Sequence, residues 1–144
     1  MEKEMEQQLI KAAMEARKKA YAPYSHYMVG AALLTKEGTI YTGCNIENAA
    51  YGPSNCAERT AFFKAVSGGE REFAAIAIVG GAENDTQGQY AAPCGVCRQV
   101  MAEFCRPEEF NILIAKDTED YYIKTLEELL PDSFGTANLR ERRM

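Results

Sequence analysis

The stretch Pro93-Cys94-Gly95-Val96-Cys97 places two thiols one helical turn apart. A lone CxxC pair of this kind suits a metal site and a redox dithiol about equally. The redox reading has a physical basis, since a helix N-terminus lowers a thiol's pKa and raises its reactivity. A second group, Cys56-Ala57-Glu58, sets a thiol beside a carboxylate where another helix begins. Two readings stand here as well. Asn55 and Glu58 have the spacing of a capping box, which would leave Cys56 an inert small hydrophobe. Alternatively, Cys56 ligates a metal and Glu58 moves protons beside it.

The elements that must position these groups can be read from hydrophobic periodicity. Residues 4–21 carry Leu9, Ile10, Ala13, Met14, Arg17, Ala20 and Tyr21 at helical spacing, and Pro23 stops the pattern. MVGAALL at 28–34 is a continuous apolar run expected of a buried strand. Lys36-Glu37-Gly38 turns it into a second strand at 39–44. An aperiodic loop from Asn45 to Asn55 leads to a helix at about 56–67 that is apolar nearly all round and expected to be deeply buried. AAIAIV at 74–79 reads as a third strand, and a long polar loop fills 80–92. Pro93 opens a third helix with Val96, Val100, Met101 and Phe104 on one face. FNILIA at 110–115 and YYI at 121–123 follow as strands, and TLEELL begins a last helix that ends at Pro131.

Strand–helix–strand units around the second and third helices imply parallel pairing with right-handed crossovers. The 116–120 connection is too short for a crossover, so the fifth strand should run antiparallel to the fourth. The expectation is a mixed five-stranded sheet with helices on both faces, formed by one domain over residues 1–144. Two parallel strands feeding two helices would aim both helix N-termini at one sheet edge. Cys56, Cys94 and Cys97 would then meet, leaving a fourth tetrahedral position open, as in catalytic rather than structural zinc sites.

Composition narrows the partners. Sixteen basic and 21 acidic residues give a net charge of −5, with no general attraction to nucleic acid or anionic membrane. Apolar residues at 47% and charged residues at 26% describe a globular chain. The N-terminus MEKEMEQQLIKAA has no apolar signal core, and no stretch is long enough to span a bilayer. Five cysteines without an export signal suit a reducing compartment, so a cytoplasmic location is expected. His26, the only histidine, has no ligand partner at useful spacing, and Cys44 and Cys105 match no ligand pattern.

Cys56-Ala57-Glu58 with Pro93-Cys94-Gly95-Val96-Cys97 resembles the signature of the zinc deaminases, in the variant with cysteine as first ligand. YAPYSHYMVGAALL (21–34), GCNIENAAY (43–51), CAERTA (56–61), PCGVCRQVMAE (93–103) and ELLPDSF (128–134) are similar, from end to end, to the small cytidine deaminase family. The resemblance implies a three-layer α/β fold, one Zn2+ per subunit and hydrolytic deamination of cytidine and deoxycytidine in pyrimidine salvage. It implies Cys56, Cys94 and Cys97 as zinc ligands, Glu58 as proton shuttle and Arg59 as a hydrogen-bond donor to the thiolates. Asn45 and Glu47 would bind the ribose 3′-hydroxyl, and Tyr27 would stack on the base. A homotetramer with shared active sites is implied too, with Ala49, Tyr51 and Phe134 reaching a neighbouring subunit's nucleoside.

Three departures from the family pattern stand out: Tyr27 where phenylalanine is usual, Ala92 where serine is common, and the long 80–92 loop. A tyrosine keeps the ring face but adds a hydroxyl that needs a partner when buried. A polynucleotide-editing deaminase fits less well, given the short 116–120 connection, the acidic balance and the 43–51 loop. A base-analogue deaminase is a nearer rival, but NIENAAY suits a free pyrimidine nucleoside better. A non-catalytic zinc or thiol module would leave Glu58, Arg59 and that loop without a purpose.

Overall fold

A computed structural model of the chain describes residues 1–143. Five strands form one mixed sheet: β1 (Gly30–Thr35), β2 (Ile40–Cys44), β3 (Phe73–Val79), β4 (Asn111–Ala115) and β5 (Tyr121–Thr125). Their spatial order is β2-β1-β3-β4-β5. β1 runs antiparallel to both of its neighbours, β3 and β4 are parallel, and β5 returns antiparallel to β4. The mixed sheet with an antiparallel fifth strand agrees with the pattern read from the sequence. The parallel pairing expected around the second helix is absent, because β1 lies between β2 and β3; among the strands of the described residues only β3 and β4 pair in parallel.

Helices cover both faces. On one side lies α1 (Lys3–Arg17), whose Leu9, Ile10 and Ala13 pack onto Ala32, Leu34, Ala75, Ala77, Val79, Leu113 and Ala115. On the other lie α2 (Ala57–Ser67) and α3 (Gly95–Phe104), whose Ala61, Phe62 and Met101 pack onto Leu33, Ile76, Ile78, Ile112 and Ile114. Successive strand residues point to opposite faces, so the continuous apolar runs serve two cores at once. The α1 face is lined with alanine, which lets that helix lie close. The opposite face is filled by Phe62 at the centre of an aromatic group, 5.1 Å from Phe73 and 6.0 Å from Phe110 between ring centroids.

Two glycines allow the helices to sit this near the sheet. A Cβ on Gly30 would lie 2.0 Å from the Ala13 carbonyl oxygen of α1. A Cβ on Gly43 would lie 2.5 Å from both the Ala57 carbonyl oxygen and the Ala61 nitrogen of α2. Gly38, at φ 104°, supplies the left-handed residue of the β1–β2 turn.

Several boundaries differ from the sequence-based expectation. α1 ends at Arg17 rather than Tyr21, because Tyr21 N–H is taken by Asn45 O at 3.0 Å and Tyr21 O by Glu47 N–H at 2.9 Å. Met28 and Val29 precede β1; Met28 N–H turns to Gly81 O at 2.8 Å. In α3 the inward residues are Cys97, Met101 and Ala102, so Val96 points outward at 58% exposure. α2 is likewise not buried all round: Phe63 is 47% exposed. β5 extends to Thr125, which caps the one-turn α4 (Leu126–Leu129) in a capping box with Glu128. A further helix, α5 (Thr136–Arg143), follows Pro131, where no helix was expected. Among the described residues no helix is long and apolar enough to cross a membrane.

Gly43→Ala should destabilise the protein by about 1–3 kcal/mol, since backbone of α2 must move to admit the methyl group. Thermal unfolding beside Gly52→Ala, where an added Cβ meets nothing within 4 Å, checks this. Equal melting temperatures in the two variants would contradict the close α2–sheet approach.

Candidate active site

β2 and β3 run in the same direction, so the helices that follow them begin at one edge of the sheet. Cys56 is the N-cap residue of α2 and Cys94 that of α3, while Cys97 lies in the first turn of α3. The sulfurs of Cys56 and Cys94 are 3.8 Å apart, those of Cys94 and Cys97 3.3 Å, and all three lie within 4.8 Å of one another. Among the described residues this is the one group of three such side chains placed to hold a metal ion. All five cysteines are free thiols.

The residues fit a zinc ion. Tetrahedral zinc–thiolate bonds of about 2.3 Å place sulfurs about 3.8 Å apart, close to the spacings here. The Cys97 thiol donates toward Cys56 and, against the opposing effect of burial, lowers its pKa to about 5, with the nearby Arg59 adding to the effect. Sharing that proton pushes Cys97 up in turn. Arg59 Nη2 donates to Cys56 Sγ at 3.2 Å, and its Nε is buried without a hydrogen-bond partner. Burial works against the guanidinium charge, but the Cys56 and Cys97 sulfurs outweigh it and hold the charge in place. A half-buried guanidinium against soft sulfur donors is the environment a thiolate metal centre needs.

Glu58 is the one buried charged residue among the described residues, at 5% exposure, in the first turn of α2. Burial raises its pKa to about 7, with Cys56 adding to the shift. The capping-box reading is not realised: α2 has no side-chain cap, and Asn55 Nδ2 donates instead to Thr60 Oγ1 at 3.2 Å. Arg98, unremarked in the sequence, steadies the Cys94 loop by donating to Pro93 O at 2.7 Å and Leu129 O at 2.6 Å.

The 45–55 loop supplies the next layer. Asn45 Oδ1 accepts from Val29 N–H and its Nδ2 donates to Tyr27 O, both at 2.8 Å. Glu47 accepts from the backbone of Tyr24 at 3.0 Å and of Ser25 at 3.1 Å, and from the Ser25 hydroxyl. That hydroxyl, followed by the Ser25 N–H, holds the Glu47 carboxyl below its ordinary pKa. A cavity of about 320 Å³ is lined by Tyr24, Ser25, Glu47, Tyr51 and Ser54. Larger clefts of about 560 and 440 Å³ lie beside the 80–92 loop, and neither is lined by any of the three clustered cysteines. Tyr27 is half-buried, with its ring edge and hydroxyl against Gly80. Tyr51, Ala49 and Phe134 stand exposed, and neither Ala49 nor Phe134 lines the Glu47 cavity. Sequence reasoning also passed over Ser25 and the backbone bonds of Arg17; Arg17 gave a signal, being the one charged residue in an apolar helical stripe.

Known proteins carry the same pattern. The family described as the cytidine and deoxycytidylate deaminase zinc-binding region matches residues 3–113. A cytidine deaminase of Sporosarcina psychrophila is 50% identical over 133 residues, covering 92% of this chain and 93% of the relative. One from Halalkalibacterium halodurans is 49% identical over 135 residues, covering 94% and 98%. The crystal structure of cytidine deaminase from Burkholderia pseudomallei superposes with a TM-score of 0.79 at 50% identity, covering 88% of this chain and 97% of that one. The chain belongs to the cytidine and deoxycytidylate deaminase family of zinc-dependent hydrolases. It takes one zinc per subunit, which the Cys56–Cys94–Cys97 cluster is able to hold.

Purified protein should therefore contain about one zinc per chain, and Cys97→Ala almost none, as elemental analysis would read. Arg59→Ala should weaken zinc binding about 10–100-fold in a chelator competition, because Cys56 loses the guanidinium that donates to its sulfur. Full zinc retention by Cys97→Ala would remove that residue from the ligand set.

Proposed function

We propose that this chain catalyses the hydrolytic deamination of cytidine and deoxycytidine to uridine and deoxyuridine, releasing ammonia. The observation that carries the reading is Glu58, buried and poised near neutrality beside three convergent thiols. A zinc ion held by Cys56, Cys94 and Cys97 supplies Lewis acidity that makes water a usable nucleophile near neutral pH.

The remaining work falls to the chain's own groups. The Glu58 carboxylate accepts a proton from the attacking water as its oxygen bonds to C4 of the pyrimidine. Electrons from the C4–N3 double bond move onto N3, which takes that proton from Glu58. The carboxylate then removes the proton from the new hydroxyl and delivers it to the exocyclic amine. The C4–N bond breaks, ammonia leaves and the C4 carbonyl forms. One carboxylate suffices because it would lie between the attacking water and the ring in each transfer. Arg59 and the two helix N-termini offset the charge of the thiolates.

Asn45 and Glu47 are assigned to the ribose 3′-hydroxyl, and Tyr27 to stacking on the base. The backbone bonds already made by Asn45 and Glu47 fix their side chains in place before substrate arrives. Phe134, Tyr51 and Ala49 are assigned to a neighbouring subunit's site in a homotetramer. Support comes from exposed apolar surface: Tyr51 at 79%, Phe134 at 59%, Val96 at 58% and Phe63 at 47%. We place the enzyme in the cytoplasm, in pyrimidine salvage, as one domain over residues 1–144. A polynucleotide substrate is disfavoured by the tight 116–120 turn, where Ala115 pairs directly with Tyr121.

Glu58→Gln should keep its zinc and lower kcat for cytidine by about 10²–10⁴-fold, followed as loss of the ultraviolet absorbance of cytidine. Wild-type turnover in this variant would remove Glu58 from the mechanism. Zinc-loaded wild type that leaves cytidine and deoxycytidine unchanged would refute the substrate assignment.

A further inference from the structure

The link between α1 and β1 carries Tyr27, and from Tyr27 to Val29 every backbone polar group is hydrogen-bonded. Tyr27 N–H donates to Ser25 Oγ at 3.1 Å and Tyr27 O accepts from Asn45 Nδ2 at 2.8 Å. Met28 N–H donates to Gly81 O at 2.8 Å, and Val29 N–H to Asn45 Oδ1 at 2.8 Å. Val29 O accepts from Asn45 N–H at 3.2 Å, and Met28 O accepts from Arg17 Nε at 3.2 Å.

Arg17 reaches further than this link. Its Nη2 donates to Ala82 O at 2.8 Å and to Asp85 O at 3.2 Å, both in the 80–92 loop. Among the described residues no ion pair engages it, so its guanidinium works on three carbonyls in two chain segments. The planar fork suits that task, and an ammonium does not. Gly81, at φ 149°, leaves the space: a Cβ there would lie 2.6 Å from Arg17 Nη2.

The same loop forms the support under the Tyr27 ring. A Cβ on Gly80 would lie 2.6 Å from Tyr27 Oη and 2.7 Å from the Ala91 methyl group. Ala91 is followed by Ala92, Pro93 and the ligand Cys94. Two further contacts close the seam: Glu83 N–H donates to His26 O at 2.7 Å, and His26 Nδ1 lies 3.0 Å from Glu83 Oε2. α1 is also held by Leu9, Ile10 and Ala13, which are fully buried against the sheet.

We propose that Arg17 is a positioning residue for nucleoside binding: it locks the Tyr27 segment against the 80–92 loop and so sets the ring that meets the base. The proposal rests on the assignment of Tyr27 to base stacking. It gives the long loop a role, as the surface against which that ring is held.

The test compares Arg17→Ala, Arg17→Lys and Tyr27→Ala with wild type. KM and kcat for cytidine, the Kd of uridine by calorimetry, zinc content and melting temperature are measured, well below the lowest melting point. Arg17→Ala should raise KM and the uridine Kd about tenfold, since small misplacements of a positioning group are costly. Its kcat should stay within about twofold and its zinc content unchanged, as for lost ground-state binding. Arg17→Lys, which reaches one carbonyl at a time, should show about a threefold rise, and it decides alone if Arg17→Ala does not fold. A lower melting temperature with wild-type KM and Kd marks a structural strut and overturns the proposal. So does a loss confined to kcat. If Tyr27→Ala leaves KM unchanged, the stacking assignment falls and the role of Arg17 with it. If Tyr27→Ala raises KM while the Arg17 variants match wild type, only the role of Arg17 falls.

Discussion

β2 and β3 flank β1 and run in the same direction, because each pairs antiparallel with it. Each hands the chain to a helix at the same sheet edge, and both helices begin with a cysteine. Three sulfurs from positions 38 and 41 residues apart in sequence therefore meet without any long excursion of backbone. The short approach of α2 to the sheet, permitted by Gly43, is part of the same constraint. If α2 stood further out, Cys56 and Glu58 would withdraw together from Cys94 and Cys97.

The meeting of these groups has an electrostatic cost that the site offsets locally. Thiolates and a buried carboxylate repel one another, and burial disfavours each charge. Two helix N-termini and Arg59 supply positive potential at the same point. Glu58 is left held up near neutrality, the range in which one group can both accept and return a proton. Zinc binding would offset that cost, so removing the metal should lower the stability of the fold.

The zinc cluster and the sheet were legible because both depend on residue types at fixed spacing. Cys56, Cys94 and Cys97 needed only the direction of two strands to be brought together. The runs at 30–35 and 111–115 are apolar on both strand faces, which only a doubly covered sheet explains. Less legible were features decided by distant backbone. The end of α1 is set by Asn45 and Glu47 capturing Tyr21, which helical periodicity cannot register. The outward positions of Phe63 and Val96 depend on which turn of each helix meets the sheet. α5 carries almost no apolar residues, so no periodic signal marks it. Asn45 and Glu47 were read as sugar ligands from resemblance, yet their bonds to Tyr27, Val29, Tyr24 and Ser25 depend on loops folding back onto one another.

X-ray absorption at the zinc edge of the purified protein would test the central claim directly. About three sulfurs near 2.3 Å and one oxygen or nitrogen are expected around the zinc. Four sulfurs, with Cys44 or Cys105 closing the site, would contradict an open catalytic centre beside Glu58.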